Sequence, residues 1–199
     1  MREENDHMKK HEFEDAKLLW KLFYAGQCFT HVQAAAEYVH TNQLAEDSPV
    51  FYPLVTAVYV LYGKPFKISR GIDSLGEEIV PSEYRELHGN LITHRDKLYA
   101  HSDADAFEWP DVGQVNQVRV ERLQTEIIWK CSQLQAKATL MPHIIKLCLC
   151  LRQAIESRKS KLCIKYKKSV PMKLGEYILN IDDVGNEFLK PAKPVFVTK

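Results

Sequence analysis

Residues 50–63 read VFYPLVTAVYVLYG, and whether they form a strand or a helix decides the fold class. The β-branched residues Val50, Val55, Thr56, Val58 and Val60 suit a strand. Length argues the other way, because fourteen residues exceed the usual strand. Pro53 argues the same way. It would fall in the first turn of a helix, where a missing N–H costs nothing. The stretch is apolar on nearly all sides, so the expectation is a buried helix. Ser48 and Pro49 are its expected N-cap and first helical residue, and Gly63 and Pro65 its end.

Upstream, Phe13, Ala16, Leu19, Trp20 and Phe23 recur at helical spacing from about Lys10, and Cys28, Val32, Ala35, Ala36 and Val39 continue the stripe. Gly26 leaves open whether this is one helix or two. Residues 1–11 are polar and are expected to form a flexible arm, and HTNQLAEDSP (40–49) to form a loop.

Downstream, residues 66–81 carry Gly71, Gly76 and Pro81 and read as a connector with a short helical turn near Leu75. SEYRELHGNLITHRDKLYAH (82–101) reads as a helix, with Leu87, Leu91, His94, Leu98 and His101 on one face. SDADAFEWPDVGQ (102–114) reads as a loop. Alternation at Val118/Val120 and Ile127/Trp129/Cys131 predicts two short strands. Residues 139–166 predict a long helix with Leu140, Ile144, Leu147, Leu151, Ile155 and Leu162 inward and Pro142 in its first turn. EYILNIDDVGNEFLKP (176–191) predicts a hairpin. The expected fold is mainly α: one domain over 1–199, β-hairpin decorations at about 115–132 and 176–190, and a C-terminal hairpin and tail over 169–199.

Composition narrows the function classes. Hydrophobic residues make up 45% of 199, enough for a core. The net charge of +1 gives no global argument for nucleic acid, so any such argument is local. Cys28, Cys131, Cys148, Cys150 and Cys163 are odd in number and lack a C-x-x-C. They read as free thiols of a reducing, cytoplasmic compartment. MREENDHMKKHE lacks the apolar run of a signal peptide. No stretch approaches the roughly 18 uncharged apolar residues of a span, so no membrane is expected.

The candidate chemistry lies in THRDKLYAHSD (93–103). His88, His94 and His101 are spaced six and seven apart, whereas metal helices place ligands at i and i+4. His94 and His101 would stand about 10 Å apart along a helix axis, so no metal is expected. HRD opens the kinase catalytic loop, but the magnesium-holding asparagine is replaced by His101, and no glycine-rich loop or D-F-G accompanies it. Metal-free phosphoryl chemistry remains. Arginine clamps a phosphate through bidentate charge-assisted bonds, and histidine exchanges a proton near neutral pH. Cleaving RNA needs a base for the 2′-hydroxyl proton, a cation for the charged transition state and an acid for the leaving oxygen.

Arg95-Asp96-x-x-x-x-His101 at the end of a helix resembles the R-x(4–6)-H motif of the HEPN superfamily, including the polar residue after the arginine. The resemblance covers about 10–166 as architecture, and its specific part is HRDKLYAHSD. It implies a HEPN-like helical bundle, usually a homodimer whose two motifs meet across the interface. It implies a metal-independent endoribonuclease that needs no cofactor, of the kind found among prokaryotic toxins and abortive-infection or other defence proteins. An antitoxin or another protein partner belongs to the same expectation. His101 would be general acid/base, Arg95 the transition-state clamp and Asp96 auxiliary. The alternative is a non-catalytic HEPN-like module that binds nucleic acid, nucleotide or a protein partner. Some members paired with antitoxins carry a tyrosine two residues after the histidine. That position is Asp103 here, so regulation through such a tyrosine is not expected.

On an ideal helix Arg95 and His101 are about 120° apart. His101 falls with Leu91 and Leu98, and Arg95 with His88, Ile92, Tyr99 and Ser102. A site using both requires a distorted last turn or a second subunit. His94, outside the pair, reads as a packing histidine. The segment RKSKLCIKYKKSVPMK (158–173) holds seven basic residues and no acid. Arg158, Lys161, Lys165 and Lys168 fall on one face if the helix persists, a stripe suited to an RNA backbone or to a solvated helix C-terminus.

Overall fold

The computed structural model describes residues 2–69, 71–99, 107–109, 113–115, 118–131, 137–181 and 188–192. The protein is mainly helical, with small antiparallel sheets. Its helices are α1 (Arg2–Thr41), α2 (Phe51–Gly63), α3 (Arg85–His94) and α4 (Met141–Lys165). The chain divides into two compact units. Unit one comprises Met1–Cys28, Pro65–Ile79 and Leu151–Lys199, and unit two comprises Phe29–Lys64 and Val80–Cys150.

α1 is one unbroken helix. A Cβ at Gly26 would meet Ile155 Cγ2 at 3.8 Å, an ordinary contact, so the glycine neither kinks nor relieves the helix. It begins at Arg2 rather than near Lys10. Residues 2–10 lack an apolar period but are rich in Arg, Glu, Met and Lys, all strong helix formers. Its end is a Schellman turn: Leu44 N–H reaches Val39 O at 3.1 Å and Gln43 N–H reaches His40 O at 3.2 Å. Gln43 occupies the left-handed position with φ 47°, where glycine is usual.

In unit two, α2 is a helix, as Pro53 and the length require. It starts at Phe51, two residues later than expected. Ser48 belongs to the preceding turn, its carbonyl accepting Phe51 N–H at 3.0 Å, and Val50 is the cap with no side-chain bond. Phe51, Val55, Val58, Tyr59 and Tyr62 are buried at spacings of four, three, one and three, which is one helical face. Burial of each aliphatic member contributes roughly 1.5–3 kcal/mol. Tyr52 is 47% exposed, so the helix is buried on one side rather than all round.

A 3₁₀ turn (Ser82–Tyr84) leads into α3, and α3 passes into a π-helical turn over Arg95–Tyr99. Strands β1 (Phe107–Trp109) and β2 (Gly113–Val115) form a hairpin inside the expected loop, with Glu108 opposite Gln114. β3 (Val118–Arg122) and β4 (Ile127–Cys131) form the expected pair, with Val120 opposite Trp129. The start of α4 buries Met141, Ile144, Leu147 and Cys148.

In unit one, the second half of α4 buries Leu151 and Ile155. A tight turn pairs Ser69 with Ile72 around Gly71, whose φ of 79° favours glycine. The short helical turn of this connector spans Glu77–Ile79. Lys21 is buried and donates to Lys67 O at 3.0 Å, and burial lowers its pKa. β5 (Tyr177–Leu179) pairs with β6 (Leu189–Pro191), as expected for the C-terminal hairpin. Ala16, Leu19, Tyr166 and Phe188 form a buried cluster, with Tyr166 stacked on Phe188 at 4.2 Å. Residues 138–165 are, contrary to expectation, long and apolar enough by length and composition to cross a bilayer. A third of its apolar window is buried, and length and composition alone do not separate a span from a core helix.

Candidate functional site

The segment singled out by sequence sits where α3 meets α2 in unit two. Tyr59 and Tyr62 lie one turn apart on α2, and each meets a histidine of α3. The Tyr62 hydroxyl and His88 Nδ1 are hydrogen-bonded at 2.8 Å, and the Tyr59 hydroxyl and His94 Nδ1 at 3.3 Å. The ring centroids are 5.8 and 5.4 Å apart. Burial pushes the Tyr59 phenol up to about 12 and the Tyr62 phenol up as well, so both keep their protons. Burial lowers His94 to about 4, leaving it neutral at pH 7. His94 is therefore a packed, hydrogen-bonded histidine.

The inner face of α3 is rotated from the expected one. His88, Leu91 and His94 are buried, while Leu87 is only half-buried. The two Tyr–His pairs draw His88 inward, and Arg95 follows it because it stands two turns further on the same side. The Arg95 side chain is 19% exposed, and its Nη1 donates to Asp96 Oδ1 at 2.7 Å. Its buried Nε has no hydrogen-bond partner among the described residues. A Cβ at Gly63 would lie 3.0 Å from Arg95 Cγ and Cδ, so the bare end of α2 forms the floor on which the arginine stem rests.

Arg95 also opens the π turn, which holds one more residue per hydrogen-bonded ring than an α turn. One turn earlier, Thr93 Oγ1 donates to Gly89 O at 2.8 Å, a back-bond that bends helices. The last described turn of this helix is thus distorted. His101 itself lies outside the described residues, as does Asp103.

The basic stripe of unit one is shorter than expected. α4 ends at Lys165, and Lys168 stands on a 3₁₀ turn (Lys167–Ser169) beyond it. Arg158 Nη1 pairs with Glu78 Oε1 at 3.2 Å. The Glu78 carboxyl is held below its usual range by its own backbone N–H and then by Arg158. Lys165 Nζ pairs with Asp15 Oδ2 at 2.5 Å, which raises the lysine pKa, and the Tyr166 hydroxyl donates to the same oxygen at 2.6 Å. Lys161 and Lys168 are exposed, with no ion pair among the described residues.

Sequence reasoning singled out Arg95 and Asp96, whose side chains the structure brings into contact, and read His94 as packing, in keeping with its burial. It missed Tyr59, Tyr62 and Gly63, whose importance depends on which helix lies opposite. Among the described residues no cluster of three or more His, Cys, Asp or Glu is suited to a metal ion. No protein-family model, no curated protein and no solved structure matches the chain.

Proposed function

We propose that the chain is a HEPN-like, metal-independent endoribonuclease acting as a cytoplasmic homodimer, of the toxin or defence type found in prokaryotes. The observation that carries this reading is Arg95 at the opening of a π turn on the end of α3, tied to Asp96 while part of its side chain reaches solvent. Single-turn π segments inside α-helices concentrate at functional sites. In the proposed reaction His101 takes the 2′-hydroxyl proton, the 2′-oxygen bonds to phosphorus, and the bond to the 5′-oxygen breaks. The His101 imidazolium so formed then returns its proton to that leaving oxygen. Arg95 stabilises the charge on the phosphorane-like transition state, and Asp96 holds the guanidinium in place. Lys161 and Lys168 meet the phosphate backbone first, and Arg158 and Lys165 join by exchanging Glu78 and Asp15 for phosphates.

The test is RNA cleavage by the purified chain in excess chelator. Wild type cuts, while Arg95→Ala and His101→Ala fall by about a hundredfold or more with melting temperatures close to wild type. A wild type that cuts no RNA, or variants that cut equally well, rule the enzyme out. A second reading, a non-catalytic module of the same fold, is favoured by the small exposure of Arg95 and its bond to Asp96. Salt-sensitive RNA binding without cleavage selects it.

A further inference from the structure

Unit one contains a cavity of about 370 Å³ that the proposed reaction does not use. Its size falls within the roughly 300–1,000 Å³ of small-molecule sites. Leu19, Phe23, Val170, Leu179 and Leu189 make its wall apolar, and Cys163 places a thiol on it. Phe23 and Val170 are each 50% exposed, so the wall reaches the surface.

Basic side chains gather beside it. Lys159 Nζ lies 4.7 Å from the centre of the Phe23 ring, and Lys165 Nζ lies 5.0 Å from the centre of the Tyr166 ring, which also lines the cavity. Those two ammonium groups are paired with Glu156 and Asp15. Lys161, Lys167, Lys168 and Lys173 are exposed on the same basic stretch, with no ion pair among the described residues. Between Arg158 and Lys173 there is no acid.

We infer that this cavity binds a small anionic amphiphile: an acyl chain or aryl group in the pocket, with a carboxylate, sulfonate or phosphate head among the lysines. Apolar burial supplies the affinity and the lysines select the charge. An unstacked nucleobase fits less well, because four of the five lining aromatic rings already have a ring or an ammonium against them. Tyr166 stacks on Phe188, Trp20 on Tyr24, and Phe23 lies under Lys159. The cavity takes no part in the proposed RNA cleavage, although Lys161, Lys165 and Lys168 belong to both readings.

The experiment uses the full chain, with dodecanoate titrated below its micelle concentration against the fluorescence of bound anilinonaphthalene sulfonate. Dodecanoate is expected to displace the dye at one site, about tenfold more tightly than dodecanol. Val170→Trp, which fills the mouth from an exposed position, is expected to weaken binding by about tenfold, and Lys167→Glu with Lys168→Glu to remove the preference for the anion. Should Val170→Trp not fold, alkylation of wild-type Cys163 by N-ethylmaleimide gives the answer, since saturating dodecanoate should slow it. Equal binding of dodecanol and dodecanoate, no saturable site, or an unprotected Cys163 would overturn the inference. So would displacement of the dye by an RNA oligonucleotide in preference to dodecanoate, which would assign the cavity to RNA.

Discussion

The residue that gives Arg95 its place is Gly63. Because a Cβ there would press on the arginine stem at 3.0 Å, Gly63→Ala should move the guanidinium by a few tenths of an ångström. Alanine favours a helix over glycine by roughly 0.5–1 kcal/mol, so the melting temperature should hold or rise. Small misplacements of catalytic groups are costly, and RNA cleavage should fall by about tenfold. An unchanged cleavage rate in Gly63→Ala would mean that the position of Arg95 is immaterial. His94 offers a pH test. Its native pKa near 4 lies below the unfolded value of about 6.5. As pH falls through that window the unfolded chain takes up a proton that the native state refuses, so stability drops by about 1–3 kcal/mol. Urea melts from pH 7 to pH 4 should show the decline, and His94→Gln should flatten it. The Arg95–Asp96 contact was legible because the two charges are adjacent letters. Gly63 was not, because nothing in LYGKP reveals which side chain crosses it.

At the scale of elements, the π turn over Arg95–Tyr99 is the feature on which the proposed site depends. An i→i+5 ring holds one residue more than an i→i+4 ring. Deleting the exposed Lys97 should let the segment close as an α turn, with helix content kept and the direction of everything after it changed. Circular dichroism should be nearly unaltered and cleavage lost, whereas an active deletion variant would show the distortion to be incidental. No apolar period announces this turn, since Leu91 and Leu98 keep helical spacing across it. α2 was legible from Pro53 and from its length, and the inner face of α4 from Ile144, Leu147, Leu151 and Ile155. The β1–β2 hairpin was hidden because three-residue strands flank Pro110, leaving no room for alternation. The end of α4 at Lys165 falls one residue short of the expected 166, and Lys168, counted on the stripe only if the helix persisted, lies beyond it. The helical start at Arg2 was missed because good helix formers without an apolar face look like a solvated arm.

For the whole molecule, the proposed dimer carries two metal-free sites built from Arg95 and His101, on a surface whose net charge of +1 leaves RNA attraction to local lysines. If each site takes its arginine from one protomer and its histidine from the other, Arg95→Ala and His101→Ala are separately inactive but complementary. A heterodimer of the two keeps one intact site in two. The decisive measurement is RNA cleavage in chelator by an equimolar, subunit-exchanged mixture of the two variants. Recovery to about one quarter of wild-type activity is expected, because half the dimers are mixed and each of those carries one working site of two. A mixture as inactive as either variant alone, while wild type cuts, would contradict it.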